Sequence, residues 1–253
     1  MDFKISKAIE TSYVDFAFYF GGTAQNSSQL ADWENLPGVC GIKIFMGAST
    51  GNLLSATDEE IELIVKNGQR VIAVHAEDED IMNTNKITIL GDSNDVAMHN
   101  KWRSVESCLS ATKRIVALAS KHNRRVHILH LTTKEEMAFL KNHKSVASAE
   151  VLANHLTLHA PECYEIYGTL AQQNPPIREK EHQDALWQAV SDGTIDIVAS
   201  DHAPHTLDEK NGIYPNTPSG TPGVQTLIPV MLNHVHEGRL SYERLVDLMA
   251  YGP

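Results

Sequence analysis

Val71-Ile72-Ala73-Val74-His75 is an apolar run of strand length that ends on a histidine, and the acidic stretch Ala76-Glu77-Asp78-Glu79-Asp80 follows it at once. Four consecutive apolar residues suit a strand covered on both faces, as in a parallel sheet. The pattern recurs in Val126-His127-Ile128-Leu129-His130, which again closes on a histidine. Residues 14–20, 41–45, 148–152 and 195–200 add further strand-like runs, six in all. Between several of them lie helical segments. Thr57-Asp58-Glu59-Glu60 is a capping sequence opening residues 61–66, and residues 104–121 carry Val105, Leu109 and Ile115 at helical spacing. Strand alternating with helix predicts an α/β fold with a parallel sheet.

The polar residues closing these runs narrow the architecture. Lys43, His75, His130, Glu150 and Asp201 are each expected at a strand's carboxyl end, the rim where a (β/α)8 TIM barrel keeps its active site. An open doubly wound sheet would call for a glycine-rich phosphate turn, and neither G-x-G-x-x-G nor a P-loop occurs. About six strands are two fewer than a closed barrel needs. The expectation is therefore one domain over residues 1–253 that forms an incomplete barrel, about strands 3 to 8.

Composition bounds the function. With 42% hydrophobic and 21% charged residues the chain has a globular profile, and its formal charge of −11 argues against nucleic acid or an anionic membrane as partner. The apolar stretches, such as residues 195–199 with Asp196 inside them, fall far short of the roughly 20 residues that span a bilayer. The opening Met1-Asp2-Phe3-Lys4 lacks the apolar core of a signal peptide, so the cytoplasm is the expected compartment. Cys40, Cys108 and Cys163 form no C-x-x-C pair and read as reduced thiols. A small-molecule substrate and a homodimeric assembly are the partners to expect.

The chemistry is carried by few residues. A lone histidine at a strand end is most often a hydrogen-bonded rim residue, but two from separate strands, joined by a carboxylate, suit Zn²⁺ or another borderline divalent ion. The carboxylate is supplied by Ile197-Val198-Ala199-Ser200-Asp201-His202-Ala203-Pro204-His205. Asp201 follows a hydrophobic strand directly, where an unpaired carboxylate is costly, and beside a metal it could act as general base. The plain alternative is a helix cap. Lys43, flanked by apolar residues, either snorkels to the rim or reacts with CO₂ to give a carbamate able to bridge two metal ions. His99, His122, His143, His182, His234 and His236 lie in polar or helical stretches and are expected in solvent. His127 reads as structural, and His155 and His159 as supporting groups. Residues 204–223 and Asn174-Pro175-Pro176 read as loops.

Taken together, Gly41-Ile42-Lys43-Ile44-Phe45-Met46-Gly47-Ala48-Ser49-Thr50-Gly51-Asn52, Val74-His75-Ala76-Glu77-Asp78-Glu79, His127-Ile128-Leu129-His130-Leu131-Thr132-Thr133, Asn174-Pro175-Pro176-Ile177-Arg178 and Ser200-Asp201-His202-Ala203-Pro204-His205-Thr206 resemble, in the same order, the dihydroorotases of the amidohydrolase superfamily. The resemblance implies a zinc enzyme that hydrolyses, and in reverse condenses, the cyclic amide joining dihydroorotate and N-carbamoyl-aspartate in pyrimidine synthesis. It implies one or two Zn²⁺ ions held by Lys43 (carboxylated and bridging if two), His75, His130 and Asp201, with Asp201 also the general base. Asn174, His205, Ser219 and Gly220 would contact substrate. Hydantoinases and allantoinases share the scaffold and are the alternative, as is a catalytically incomplete fragment. The family's His-x-His pair, the substrate-binding Arg after it and an Asn after the second strand are not found ahead of residues 14–22. The family also continues beyond Ala250-Tyr251-Gly252-Pro253. The expectation is a piece of a longer protein, with the first metal site incomplete within it.

Overall fold

The computed structural model describes residues 1–49 and 54–253. Six strands form one parallel sheet in sequence order: β1 (Phe18–Gly21), β2 (Val39–Phe45), β3 (Ile72–His75), β4 (Val126–Ile128), β5 (Ala147–Leu152) and β6 (Ile197–Ala199). Each strand pairs with its successor after a helical crossover, so the sheet winds in one direction without the switch point of a doubly wound fold. β1 and β6 are its outer strands.

β3 is buried at every position, as its unbroken apolar run requires. The predicted strand at residues 14–20 is shorter than expected. Pairing begins where the Phe18 amide donates to the Gly38 carbonyl at 2.8 Å, while Tyr13 and Val14 stand in solvent without a strand partner. Lys43 and Glu150 also depart from the strand-end expectation. Lys43 lies inside β2, paired with Gly21 and Ala73, and Glu150 lies inside β5 opposite Ile197. His75 does close β3, whereas His130 and Asp201 sit two residues beyond β4 and β6.

The crossover helices form for local reasons that the sequence displays. Thr57 accepts from the Glu60 amide in a capping box that opens Asp58–Val65, whose Ile61, Ile64 and Val65 are buried. Ser104 caps Val105–Lys121 through the Ser107 amide. That helix presents Cys108, Ala111, Ile115 and Ala119 to the sheet; Val105 and Leu109 are only half-buried, one turn to the side of the face expected. Ala111, Ile115 and Ala119 join Ile42, Ile44, Ile72, Val74, Val126, Ile128, Ala149 and Val151 in the main core. Each fully buried aliphatic side chain there contributes about 1.5–3 kcal/mol. Cys108 and Cys163 are buried free thiols and Cys40 is partly so. Among the described residues no helix is long and apolar enough to cross a membrane.

Candidate metal centre

β3 ends by delivering the His75 ring, and the turn after β4 delivers His130. The two imidazoles meet edge to face, with His75 Nδ1 and His130 Nε2 3.1 Å apart and both side chains buried. Asp201 arrives from the turn after β6. His130 and Asp201 both hold left-handed backbone angles, φ 38° and 42°. A non-glycine residue there costs of order 1–3 kcal/mol and persists where its surroundings demand it. His127, on the regular part of β4, instead bonds Ser148 and Glu150, as its structural reading anticipates.

A cavity of about 160 Å³ is lined by Lys43, Phe45, Ser49, His75, His130, Asn174, Asp201, Ala203, Ser219 and Gly220. Seven of the eight residues singled out from the sequence therefore surround one space, although they come from six separate stretches of chain. The eighth, His205, lines a neighbouring cavity of about 400 Å³, and Gly220 forms the wall between them. A polar cleft of about 460 Å³ adjoins the small cavity and shares Ser49, Asn174 and Ser219 with it. Thr50-Gly51-Asn52 of the Lys43 motif lie outside the described residues.

The electrostatics follow from crowding. Burial pulls Lys43 down to about 8 against the pull of Asp201 and Glu150, and its ammonium lies 4.4 Å from the centre of the Phe45 ring. It is half-buried rather than sealed in. Burial also lowers His75; burial, with the repulsion that a protonated His75 and Lys43 would exert, holds His130 well below the histidine range. Both rings are neutral near pH 7 and so have lone pairs to offer. Asp201 is more open than the sequence suggested, because β6 is an outer strand. Its carboxyl is nonetheless raised, by loss of water on the cavity side and by Glu150, with Lys43 opposing.

Zinc bonds nitrogen at about 2.0–2.1 Å, so two nitrogens on one tetrahedral ion stand about 3.3 Å apart. The 3.1 Å between His75 and His130 fits that spacing. His130 Nδ1 is buried without a partner, a cost accepted at this position. Among the described residues no group of three or more His, Cys, Asp or Glu side chains closes around one point. The fit is thus to part of a centre: two imidazole donors, with Asp201 and Lys43 on the same cavity wall.

Supporting residues escaped the sequence reading. Glu77 takes His75 Nε2 at 2.8 Å and pairs with Arg103 in full burial. Burial raises the Glu77 carboxyl, but Arg103 and His75 outweigh it and hold the group well below the carboxylate range. His99 is buried, not exposed as expected: its Nε2 lies 3.0 Å from Asn174 Oδ1 and its Nδ1 3.3 Å from the Tyr214 hydroxyl. Burial, with Arg103 beside it, pulls His99 down to about 3. His182 and His234 are buried too, the first accepting from the Lys134 amide and the second bonding Thr157. His155 bonds the Pro175 carbonyl at 3.2 Å, next to Asn174, while His159 pairs with Glu162. Only the His75-x-Glu77 spacing was visible locally; Arg103 and Tyr214 arrive from distant segments.

Lys210 is buried and donates to the carbonyls of Gln172, Pro218 and Gly220, tying the Asn174 segment to the Ser219-Gly220 turn. Gly220 itself has φ +140°, and a Cβ there would lie 2.5 Å from the Ala203 carbonyl oxygen. Gly220→Ala is expected to destabilise the protein by more than about 1 kcal/mol. A denaturation midpoint unchanged by the substitution would contradict this placement of the turn.

No protein-family model matches the chain. A dihydroorotase of Methanosarcina acetivorans is 33% identical over 261 residues, which cover 99% of this chain and 55% of that protein. The chain is a relative of the dihydroorotases. The dihydroorotase of Halobacterium salinarum is 36% identical over 183 residues, 72% of this chain and 42% of that protein. The chain thus spans about half the length of the curated dihydroorotases it matches. Among solved structures, the L-hydantoinase (dihydropyrimidinase) of Arthrobacter aurescens superposes with a TM-score of 0.87 at 29% identity, covering 95% of this chain and 55% of that one. An inactive dihydroorotase-like domain from Chaetomium thermophilum shares the fold at 19% identity and a TM-score of 0.67.

Proposed function

We propose that this chain carries the metal-binding strands of a zinc-dependent dihydroorotase built on a (β/α)8 barrel, acting on the cyclic amide of dihydroorotate in the cytoplasm. The observation that carries the reading is the convergence of Lys43, His75, His130 and Asp201 on one small cavity, in a chain whose relatives are dihydroorotases. When bound there, zinc would polarise the amide carbonyl and make water a nucleophile near neutral pH. His75 and His130 offer neutral nitrogens to such an ion. Lys43 loses its proton near pH 8, far below an ordinary lysine, and the neutral amine is the form that reacts with CO₂ to give the carbamate.

Asp201 takes the proton of the attacking water on a carboxylate oxygen and hands it to the ring nitrogen as the amide bond breaks. Its raised pKa suits both halves of that exchange. Asn174 is braced for substrate: a His99 Nε2–H is donated to its Oδ1 and one of its own N–H groups reaches Ser49 Oγ at 3.4 Å, which leaves the second N–H for an acceptor on the ring. Ser219 and Gly220 wall the same space, and His205 would reach substrate only past Gly220.

The L-hydantoinase likeness favours a second reading, a hydrolase of ring amides without a carboxylate. Incubating the zinc-supplemented protein with dihydroorotate and, separately, with a 5-substituted hydantoin distinguishes the two. Ring opening of dihydroorotate alone is the expected result, and opening of the hydantoin alone would transfer the assignment.

A further inference from the structure

We propose that Glu77, braced by Arg103, is a positioning residue that sets the ring tautomer of His75 and so turns its Nδ1 lone pair into the cavity. The inference rests on the metal-centre reading above and adds to it a residue pair outside the ligand set.

His75 Nε2 lies 2.8 Å from Glu77 Oε2. Arg103 Nε reaches both Glu77 oxygens, at 3.0 and 3.1 Å, and its Nη2 bridges from Glu77 to the Ala48 carbonyl at 2.9 Å. The side chains of His75, Glu77 and Arg103 are 1%, 0% and 4% exposed. A carboxylate paired with a guanidinium can only accept, so the hydrogen between His75 and Glu77 belongs to His75 Nε2. The other ring nitrogen, Nδ1, is then bare, and it is the one facing His130. Arg103 fixes the carboxylate in turn by anchoring it to the backbone after β2. Such outer partners of histidine ligands typically contribute 10- to 100-fold in metal affinity. An ion pair serving stability alone would have no need to present one oxygen to the ring.

The test reads the ring directly. In ¹⁵N-histidine-labelled protein, His75 is expected as the Nε2–H tautomer with an unprotonated Nδ1. In Glu77→Gln the side-chain carbonyl turns to Arg103 and the amide NH₂ to His75, moving the hydrogen to Nδ1 and lowering zinc affinity by roughly 10- to 100-fold. Arg103→Lys keeps a cation on Glu77 and is expected to retain the Nε2–H tautomer. A wild-type ring protonated on Nδ1 overturns the inference, as does Glu77→Gln with unchanged tautomer and zinc affinity. If Glu77→Gln fails to fold, the wild-type ring shifts still decide. Wild-type protein with the stated tautomer but no zinc binding would support the tautomer assignment and overturn the metal-centre reading instead.

Discussion

Asp201→Asn is expected to lower dihydroorotate turnover by about 10²- to 10⁴-fold while zinc content stays near that of the unaltered protein. Asparagine keeps the size of aspartate and an oxygen for a metal, and it tolerates the left-handed backbone held here at φ 42°. What it loses is the ability to take a proton from water and return it to the leaving nitrogen. The loss should therefore fall on kcat, with KM little changed, as for an interaction made in the transition state. Steady-state kinetics with metal analysis of the same samples checks it. Turnover unchanged in the zinc-replete variant would remove Asp201 from the reaction and leave it as a ligand or a cap.

The second large effect lies at the opposite end of the strands. Glu34, 2% exposed, receives the Gln69 amide at 2.6 Å, the Arg70 amide at 3.2 Å and Arg124 Nη2 at 2.9 Å. Arg124 in turn donates to the carbonyls of Arg70 and Asn67, both at 2.7 Å. The pair stitches the segment before β2 to the loops that enter β3 and β4. Gly68 is needed beside it, because any Cβ there would press on the Glu34 carboxylate at 2.5 Å. Glu34→Ala leaves Arg124 buried without a counter-charge, which costs about 3–5 kcal/mol. For a chain of this size that corresponds to a fall of roughly 6–20 °C in Tm. Zinc affinity should be unchanged, since these residues line none of the cavity. A thermal melt unaffected by the substitution would show that the pair is dispensable, and Arg124→Met in the Glu34→Ala background should recover part of the loss.

The sheet was legible because its inner strands, such as β3 and β4, are covered on both faces. β3 announces itself as four apolar residues and a histidine, and all but the half-buried Val71 are buried. Asp58–Val65 and Val105–Lys121 were legible from their caps, since Thr57 and Ser104 satisfy the first amides locally. The strand limits were less so. β1 starts four residues late because an outer strand lasts only as long as its single neighbour, a property of pairing rather than of local sequence.

The site was legible where a motif marks a strand end, as at His75 and Asp201. It was not where tertiary packing decides. His99, His182 and His234 sit in polar sequence and yet are buried, each completing a hydrogen bond with a residue far away in the chain. The Arg103–Glu77 pair spans 26 residues without periodicity between them. His130 and Asp201, both singled out from the sequence, turn into the cavity through left-handed backbone angles that no propensity would have predicted.

The most direct measurement is the rate of ring opening of dihydroorotate by the zinc-loaded protein, compared with the same protein carrying His130→Ala and with its zinc removed by a chelator. The account predicts turnover that disappears with the metal, returns when zinc is restored, and is absent from the variant. Zinc bound through His130 with dihydroorotate left intact would contradict it.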